Sequence, residues 1–291
     1  MAQINIHDAV AQSGTFLIGG DLKVHRLGFG AMRITGEGIW GPPANKQQAI
    51  HVLRRAIDLN INLIDTADSY GPEVSEKLIE EALYPYPQHL IIATKGGLER
   101  TGPNQWVPNG HPDHLRQALN GSLTRLKRGH IDVYQFHRPD PKVPYEDSIG
   151  ELSELQAVGK IHHIGLSNVT IEQIETARQI VKVVSVQNRF NLTDLNSEDV
   201  LNYCEREGIA FIPWHPLATG ELALPGSPLE AAAKKYNATP SQIALAWLLH
   251  RSRVMLPIPG TSSVEHLEEN VLGAAIQLNE AEFKSISSTS K

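Results

Sequence analysis

The chain has 291 residues, 41% of them apolar and 20% charged, an ordinary balance for a globular protein long enough to bury a large core. A net charge of −6 without any basic block argues against nucleic acid as a partner, and no stretch reaches the roughly 18 uncharged apolar residues that a membrane helix needs. Cys204 is the sole cysteine, so no disulfide can form within the chain; no secretion leader is expected from the opening residues, and the expected compartment is the cytoplasm.

Residues 1–15 read as a loose tail ahead of a single domain over 16–291. TFLIGGDLKV sets two short apolar runs around Gly19, Gly20 and Asp21, a hairpin signal. From Leu27 onward strand-like and helix-like stretches alternate. Strands are expected to end near Met32, Ala67, Lys95, His137, Ser167, Gln187, Trp214 and Pro259. Helices are expected over 45–59, 74–83, 112–127, 145–158, 171–180, 197–207, 239–250 and 263–273. In the first of these Ile50, Leu53, Ala56 and Ile57 share one face; in 145–158 Ile149, Leu152, Leu155 and Val158 do the same, and Gly159 offers a stop.

Eight strand–helix pairs at roughly 30-residue spacing predict an α/β fold of the (β/α)8 TIM-barrel type, preceded by a β-hairpin. The strands are apolar throughout, as when helices cover a parallel sheet. A doubly wound nucleotide fold is the rival, but LGFGAM supplies Gly28 and Gly30 without a third glycine. The long segments after the first and third strands, which carry Trp40 and Trp106, read as walls of a pocket.

Asp65, Tyr70, Lys95 and His137 follow the apolar runs NLIDTADSY, LIIATK and VYQFH. In a parallel barrel such strand ends converge on one face. A phenol with its ordinary pKa near 10 is a poor donor at neutral pH; an adjacent ammonium lowers that value, and a carboxylate anchors the ammonium. Tyr70 as acid, Lys95 as tuner, Asp65 as anchor and His137 as the group orienting a carbonyl oxygen form a proton-delivery device. Each has a plainer reading: Asp65 as a turn or cap residue, Tyr70 as a loop aromatic, His137 as a structural histidine. A lysine ending an apolar strand is harder to dismiss, because burying it unpaired is costly.

LIDTADSYG, IIATK, VYQFH, IGLSN, VVSVQNRFN and IPGTSSVEHLEEN, in this order, resemble the aldo-keto reductase superfamily, specifically a bacterial branch that includes pyridoxal reductases. The likeness runs from about Phe16 to the end. It implies reduction of aldehydes or ketones with NADPH, NADH being possible, by a monomer acting on a small-molecule carbonyl substrate. The family's tetrad falls on Asp65, Tyr70, Lys95 and His137 without substitution.

The resemblance also implies a cofactor path across the barrel mouth. It runs over Gly30, Ala31, Met32 and Asp65, with Ser167, Asn168 and Gln187 holding the carboxamide and Trp214 stacking on the nicotinamide ring. His215, Leu217 and Thr219 match the loop that wraps the pyrophosphate. Gly260, Thr261, Ser262, His266, Glu269 and Asn270 match the adenosine site. Many NADPH-specific relatives carry Lys or Arg where this chain has Gly260 or His266, so the NADPH preference is expected to be narrower here. Trp40, Trp106 and Arg138 are candidate substrate contacts, with pyridoxal or another aromatic aldehyde as substrate; Arg138 could equally pair with Asp140. Ser167 and Asn168 could instead cap the following helix. No metal ligands are expected, since alternation would turn His162 and His163 to opposite faces of a strand. A regulatory barrel of the channel β-subunit type, or a hydrolase or lyase working without nicotinamide, remain as alternatives.

Overall fold

The computed structural model describes residues 5–217 and 227–288. A hairpin of β1 (Thr15–Ile18) and β2 (Leu22–His25) pairs Thr15 with His25 and Ile18 with Leu22. The two-residue β3 (Phe29–Gly30) begins the main sheet, followed by β4 (Leu63–Asp65) and β5 (Ile91–Gly96). A second antiparallel hairpin, β6 (Leu98–Gly102) and β7 (Gln105–Pro108), rises from the end of β5. The sheet continues with β8 (Ile131–Phe136), β9 (Ile161–Ser167), β10 (Val183–Gln187) and β11 (Ala210–Phe211).

The seven strands β3, β4, β5, β8, β9, β10 and β11 lie side by side in chain order, all parallel. Among the described residues no reversal of strand order exists at which a dinucleotide crevice of the doubly wound kind could form. Residues 254–257 close the ring in place of a regular eighth strand. Phe211 N donates to Val254 O (2.8 Å), Leu256 N to Phe211 O (2.8 Å), and Gly28 N to Pro257 O (2.9 Å). The fold is thus the expected (β/α)8 barrel with its N-terminal hairpin.

The eight helices expected from periodicity all form, as Lys46–Asp58, Val74–Leu83, Pro112–Arg125, Tyr145–Ala157, Ile171–Arg178, Glu198–Glu207, Pro240–Arg251 and Val264–Gly273. Their starts follow from capping chemistry. Thr170 and Thr239 each form a reciprocal box with the glutamine three residues on, and Asn45 and Ser263 accept from Gln48 N and His266 N. Helices at Pro228–Tyr236 and Glu280–Ser287 are additional.

The N-terminal segment corrects the sequence reading. Ile6–Ala9 is a helical turn and Val10–Ser13 a 3-10 turn, with Ala9 and Val10 fully buried against the helix layer, so these residues are not a loose tail. Arg26 clamps the segment by donating to the carbonyls of Ser13 (3.2 Å) and Leu249 (2.6 Å). A single helical turn is too short to produce a periodic signal.

The first hairpin plugs the barrel at the N-terminal ends of its strands. Ile18 and Val24 pack with the interior side chains Leu63, Val133, Val184 and Leu256. Asn62 pins the plug, accepting from His25 N (2.8 Å) and donating to Lys23 O (2.9 Å). His162 and His163, at the start of β9, do not diverge as alternation predicts. Both rings turn to Asp21 in the hairpin turn, with Nε2–carboxylate distances of 2.7 and 2.6 Å.

Candidate active site

At the opposite end, the C-terminal ends of the strands surround a cleft of about 400 Å³. Three neighbouring strands supply its floor. Asp65 ends β4, Lys95 lies near the end of β5, and His137 follows β8. Lys95 is fully buried and donates to Asp65 Oδ1 (2.5 Å), Thr66 O (2.9 Å) and Tyr70 Oη (3.2 Å). All three ammonium protons therefore have acceptors, which is what permits a buried lysine. The second oxygen of Asp65 accepts from Gln135 Nε2 and Gln187 Nε2, both at 2.9 Å.

The Tyr70 ring stands edge-on to His137 (centroids 6.0 Å apart) and to Trp106 (6.3 Å). Ser69 Oγ lies 3.3 Å from His137 Nδ1. Burial, reinforced by the charges of Lys95, Arg138 and Arg100, holds the His137 imidazole well below its ordinary pKa, so it is neutral at neutral pH. For Tyr70 the outcome differs from expectation. Burial pushes the phenol up, and Lys95 opposes that without outweighing it. The hydroxyl therefore keeps its proton across the neutral range, the state a donor must be in. Burial alone would push Lys95 down, but Asp65, then Tyr70, carries it above the ordinary lysine value.

A second set of polar groups continues around the mouth. Asn168, held in the left-handed region (φ 57°), donates to His137 O (3.1 Å) and Ser167 Oγ (3.0 Å) and accepts from Trp214 Nε1 (3.0 Å). The helix cap here is Thr170, so Ser167 and Asn168 are free of that duty. Gly30 and Gly260 meet where the barrel closes: a Cβ on Gly260 would sit 2.4 Å from Gly30 O, and one on Gly30 2.6 Å from Ile258 O. Neither position has room for a side chain.

Of the residues singled out in the sequence, Gly30, Met32, Asp65, Tyr70, Trp106, His137, Arg138, Ser167, Asn168, Gln187, Trp214, His215, Leu217 and Gly260 line the cleft. Lys95 lies beneath it. Ala31 does not line it; that residue is buried, with its carbonyl accepting from Ser75 Oγ (2.9 Å). Trp40 is also outside the lining and sits with its ring 5.7 Å from the Arg100 guanidinium. Thr261 and Ser262, just ahead of helix Val264–Gly273, and His266, Glu269 and Asn270 within it, do not line the cleft. Thr219 falls outside the described residues.

The pairing of Arg138 with Asp140 is absent. The Asp140 carboxylate accepts instead from Gly110 N (3.0 Å) and Lys142 N (2.9 Å), and Arg138 has no ion pair among the described residues. Sequence reasoning missed Gln135, whose signal was a lone amide inside the apolar run VYQFH. It also missed Arg100, which lies 3.6 Å over Trp106 and donates to the carbonyls of Ile39 (2.7 Å) and Ser69 (2.8 Å). Arg100 thus fixes the aromatic wall, a role its position in a glycine-rich segment did not reveal.

Behind the site, burial and then Glu76 push the Asp68 carboxyl up to about 8, and its Oδ1 has no hydrogen-bond partner among the described residues. Such a group holds a proton that the unfolded chain has already released, so stability falls as pH rises from the ordinary carboxyl range to about 8. Asp68→Asn should therefore raise the melting midpoint at pH 8 while leaving it nearly unchanged near pH 4. Equal effects at the two pH values would contradict the assignment.

Comparison with known proteins agrees with this architecture. Residues 26–291 match the model of the aldo/keto reductase family. An uncharacterised oxidoreductase of Schizosaccharomyces pombe is 56% identical over 281 residues, covering 97% of this chain and 91% of the relative. Pyridoxine 4-dehydrogenase of Escherichia coli is 41% identical over 285 residues, covering 96% and 99%. The solved structure of a glycerol dehydrogenase from Gluconobacter oxydans superposes with a TM-score of 0.85 at 26% identity, covering 95% of this chain and 94% of that one. The chain belongs to the aldo/keto reductase family and is an NAD(P)H-dependent oxidoreductase. Family membership removes the reading as a hydrolase or lyase working without nicotinamide.

Proposed function

We propose that the protein reduces aldehydes and ketones to alcohols, with NADPH as the hydride donor and Tyr70 as the proton donor. The observation that carries this reading is the Tyr70 hydroxyl 3.2 Å from the Lys95 ammonium, on the wall of a cleft shared with a neutral His137. The donor set fits a nicotinamide. Ser167, Asn168 and Gln187 offer hydroxyl and amide groups able to match a primary carboxamide, and Trp214 offers a flat face beside them. When bound there, the cofactor supplies a hydride to the carbonyl carbon.

The chain's own groups manage the oxygen. Tyr70 gives its proton to the carbonyl oxygen as negative charge gathers on it, and the Lys95 charge eases that release. A Ser69 hydroxyl donating to Nδ1 leaves the proton of neutral His137 on Nε2, from which the ring can donate to the same oxygen. Asp65, fixed by two glutamine amides, holds Lys95 in register. Trp214→Ala should weaken NADPH binding by about 1 kcal/mol, roughly fivefold, as a lost stacking contact. An unchanged dissociation constant in a fluorescence titration would place the ring away from the cofactor.

Tyr70, Trp106 and Trp214 make the wall aromatic, which favours a planar substrate, and unpaired Arg138 at the mouth favours one with an acidic substituent. Pyridoxal or a similar aromatic aldehyde meets the first condition, and the 41% identity to a pyridoxine 4-dehydrogenase supports that choice. The test is loss of NADPH absorbance across a panel of aldehydes that includes pyridoxal, repeated with NADH. Turnover of aromatic aldehydes with a higher kcat/KM for NADPH is expected. Preference for NADH would overturn the cofactor assignment. Cofactor binding with no turnover of any aldehyde would favour a regulatory barrel of the channel β-subunit type.

A further inference from the structure

Asp21, His162 and His163 form a cluster at the plugged end of the barrel, remote from the cleft. Ser167 lies four residue steps along β9 from His163, roughly 13 Å at the strand rise. We propose that this cluster binds a divalent transition-metal ion, for which Zn²⁺ is the best match, and that the bound ion fastens the hairpin plug to the barrel wall.

Three ligand atoms, two imidazole nitrogens and a carboxylate oxygen, lie within 4.8 Å of one another. Zinc bonds to such donors at about 2.0–2.2 Å, which places neighbouring ligands about 3.3 Å apart. The imidazoles now contact different oxygens of the carboxylate, His163 Nε2 lying 2.6 Å from Asp21 Oδ1 and His162 Nε2 2.7 Å from Oδ2, so an ion entering between them needs these contacts to open by about 0.6 Å. Two nitrogens with one oxygen suit Zn²⁺ rather than Mg²⁺ or Ca²⁺, which take oxygen ligands.

The backbone around the cluster is shaped to permit it. Adjacent strand residues ordinarily face opposite ways, yet the His162 and His163 rings lie 4.3 Å apart, centroid to centroid, and point their Nε2 atoms at one carboxylate. Gly19 makes room for this. It sits at φ 69°, and a Cβ there would fall 2.3 Å from the His163 ring. Lys182 braces the same turn by donating to Gly19 O (2.7 Å). His162 and Asp21 keep 42% and 52% of their side chains exposed, so an ion can enter from solvent and water can complete its coordination. Because Asp21 belongs to the hairpin and the histidines to β9, metal affinity would be expressed as stability of the plug.

The test titrates ZnCl₂ into the tag-free, chelator-treated full-length protein by calorimetry, with thermal unfolding measured in parallel. The wild type should take up one equivalent with a melting midpoint raised by zinc. Asp21→Asn, which preserves shape, and His163→Ala should each bind at least tenfold more weakly and lose the zinc-dependent rise. Zinc uptake retained in both variants would overturn the proposal, since it would then reside at other histidines. So would a wild type that takes up no zinc while the variants are merely less stable, which would leave the cluster as a hydrogen-bonded clasp.

Discussion

Tyr70→Phe should lower kcat for aldehyde reduction by about 10²–10⁴, the span usually contributed by a placed general acid, while cofactor affinity stays within about twofold. The substitution removes one oxygen and keeps the ring. The edge contacts with Trp106 and His137 persist, and Lys95 retains Asp65 and Thr66 O as acceptors. Folding should therefore change little, so that a fall in turnover reports the missing proton. Steady-state rates with an aromatic aldehyde, alongside a fluorescence titration with NADPH, make the measurement. Turnover within tenfold of wild type would remove Tyr70 from the proposed donor role.

Lys95→Met should damage both stability and catalysis. Breaking a buried ion pair from one side costs about 3–5 kcal/mol, because the remaining charge is left in a poor solvent. Asp65 would keep only the amides of Gln135 and Gln187. Turnover should fall as well, since the charge that opposes the upward push of burial on the phenol is gone. The double variant Asp65→Asn with Lys95→Met separates the two effects: the denaturation midpoint should recover substantially and kcat should not. Recovery of kcat would mean that Lys95 acts only through folding. The pH dependence carries a definite sign. Lys95 is raised in the fold, so its contribution is complete below the ordinary lysine value and is lost only as pH climbs through the higher folded value. The pair should stay intact across the neutral and mildly alkaline range.

The barrel was legible because its signals are local and repeated. Apolar strands alternate with amphipathic helices, and caps such as Thr170 and Thr239 can be read directly from the order of residues. The polar residues ending three of the strands were legible for the same reason, since strand ends in a parallel barrel must share a face. What escaped depends on contacts between distant segments. Arg100 is unremarkable until β6 and β7 fold it over Trp106. Gln135 gains meaning only when β8 lies beside β5 and reaches Asp65. The convergence of His162 and His163 required a turn more than a hundred residues upstream. The direction of the Tyr70 shift depended on burial, a quantity that one chain segment does not state.

Ile18 and Val24 cork the far end of the barrel, and that has a kinetic corollary. Two reactants sharing a cleft that is closed at its base enter and leave by the same mouth. The molecule seated nearer the floor has to arrive first and depart last, so steady-state patterns should follow a compulsory order, and the nucleotide product should compete with fresh nucleotide for the bare protein.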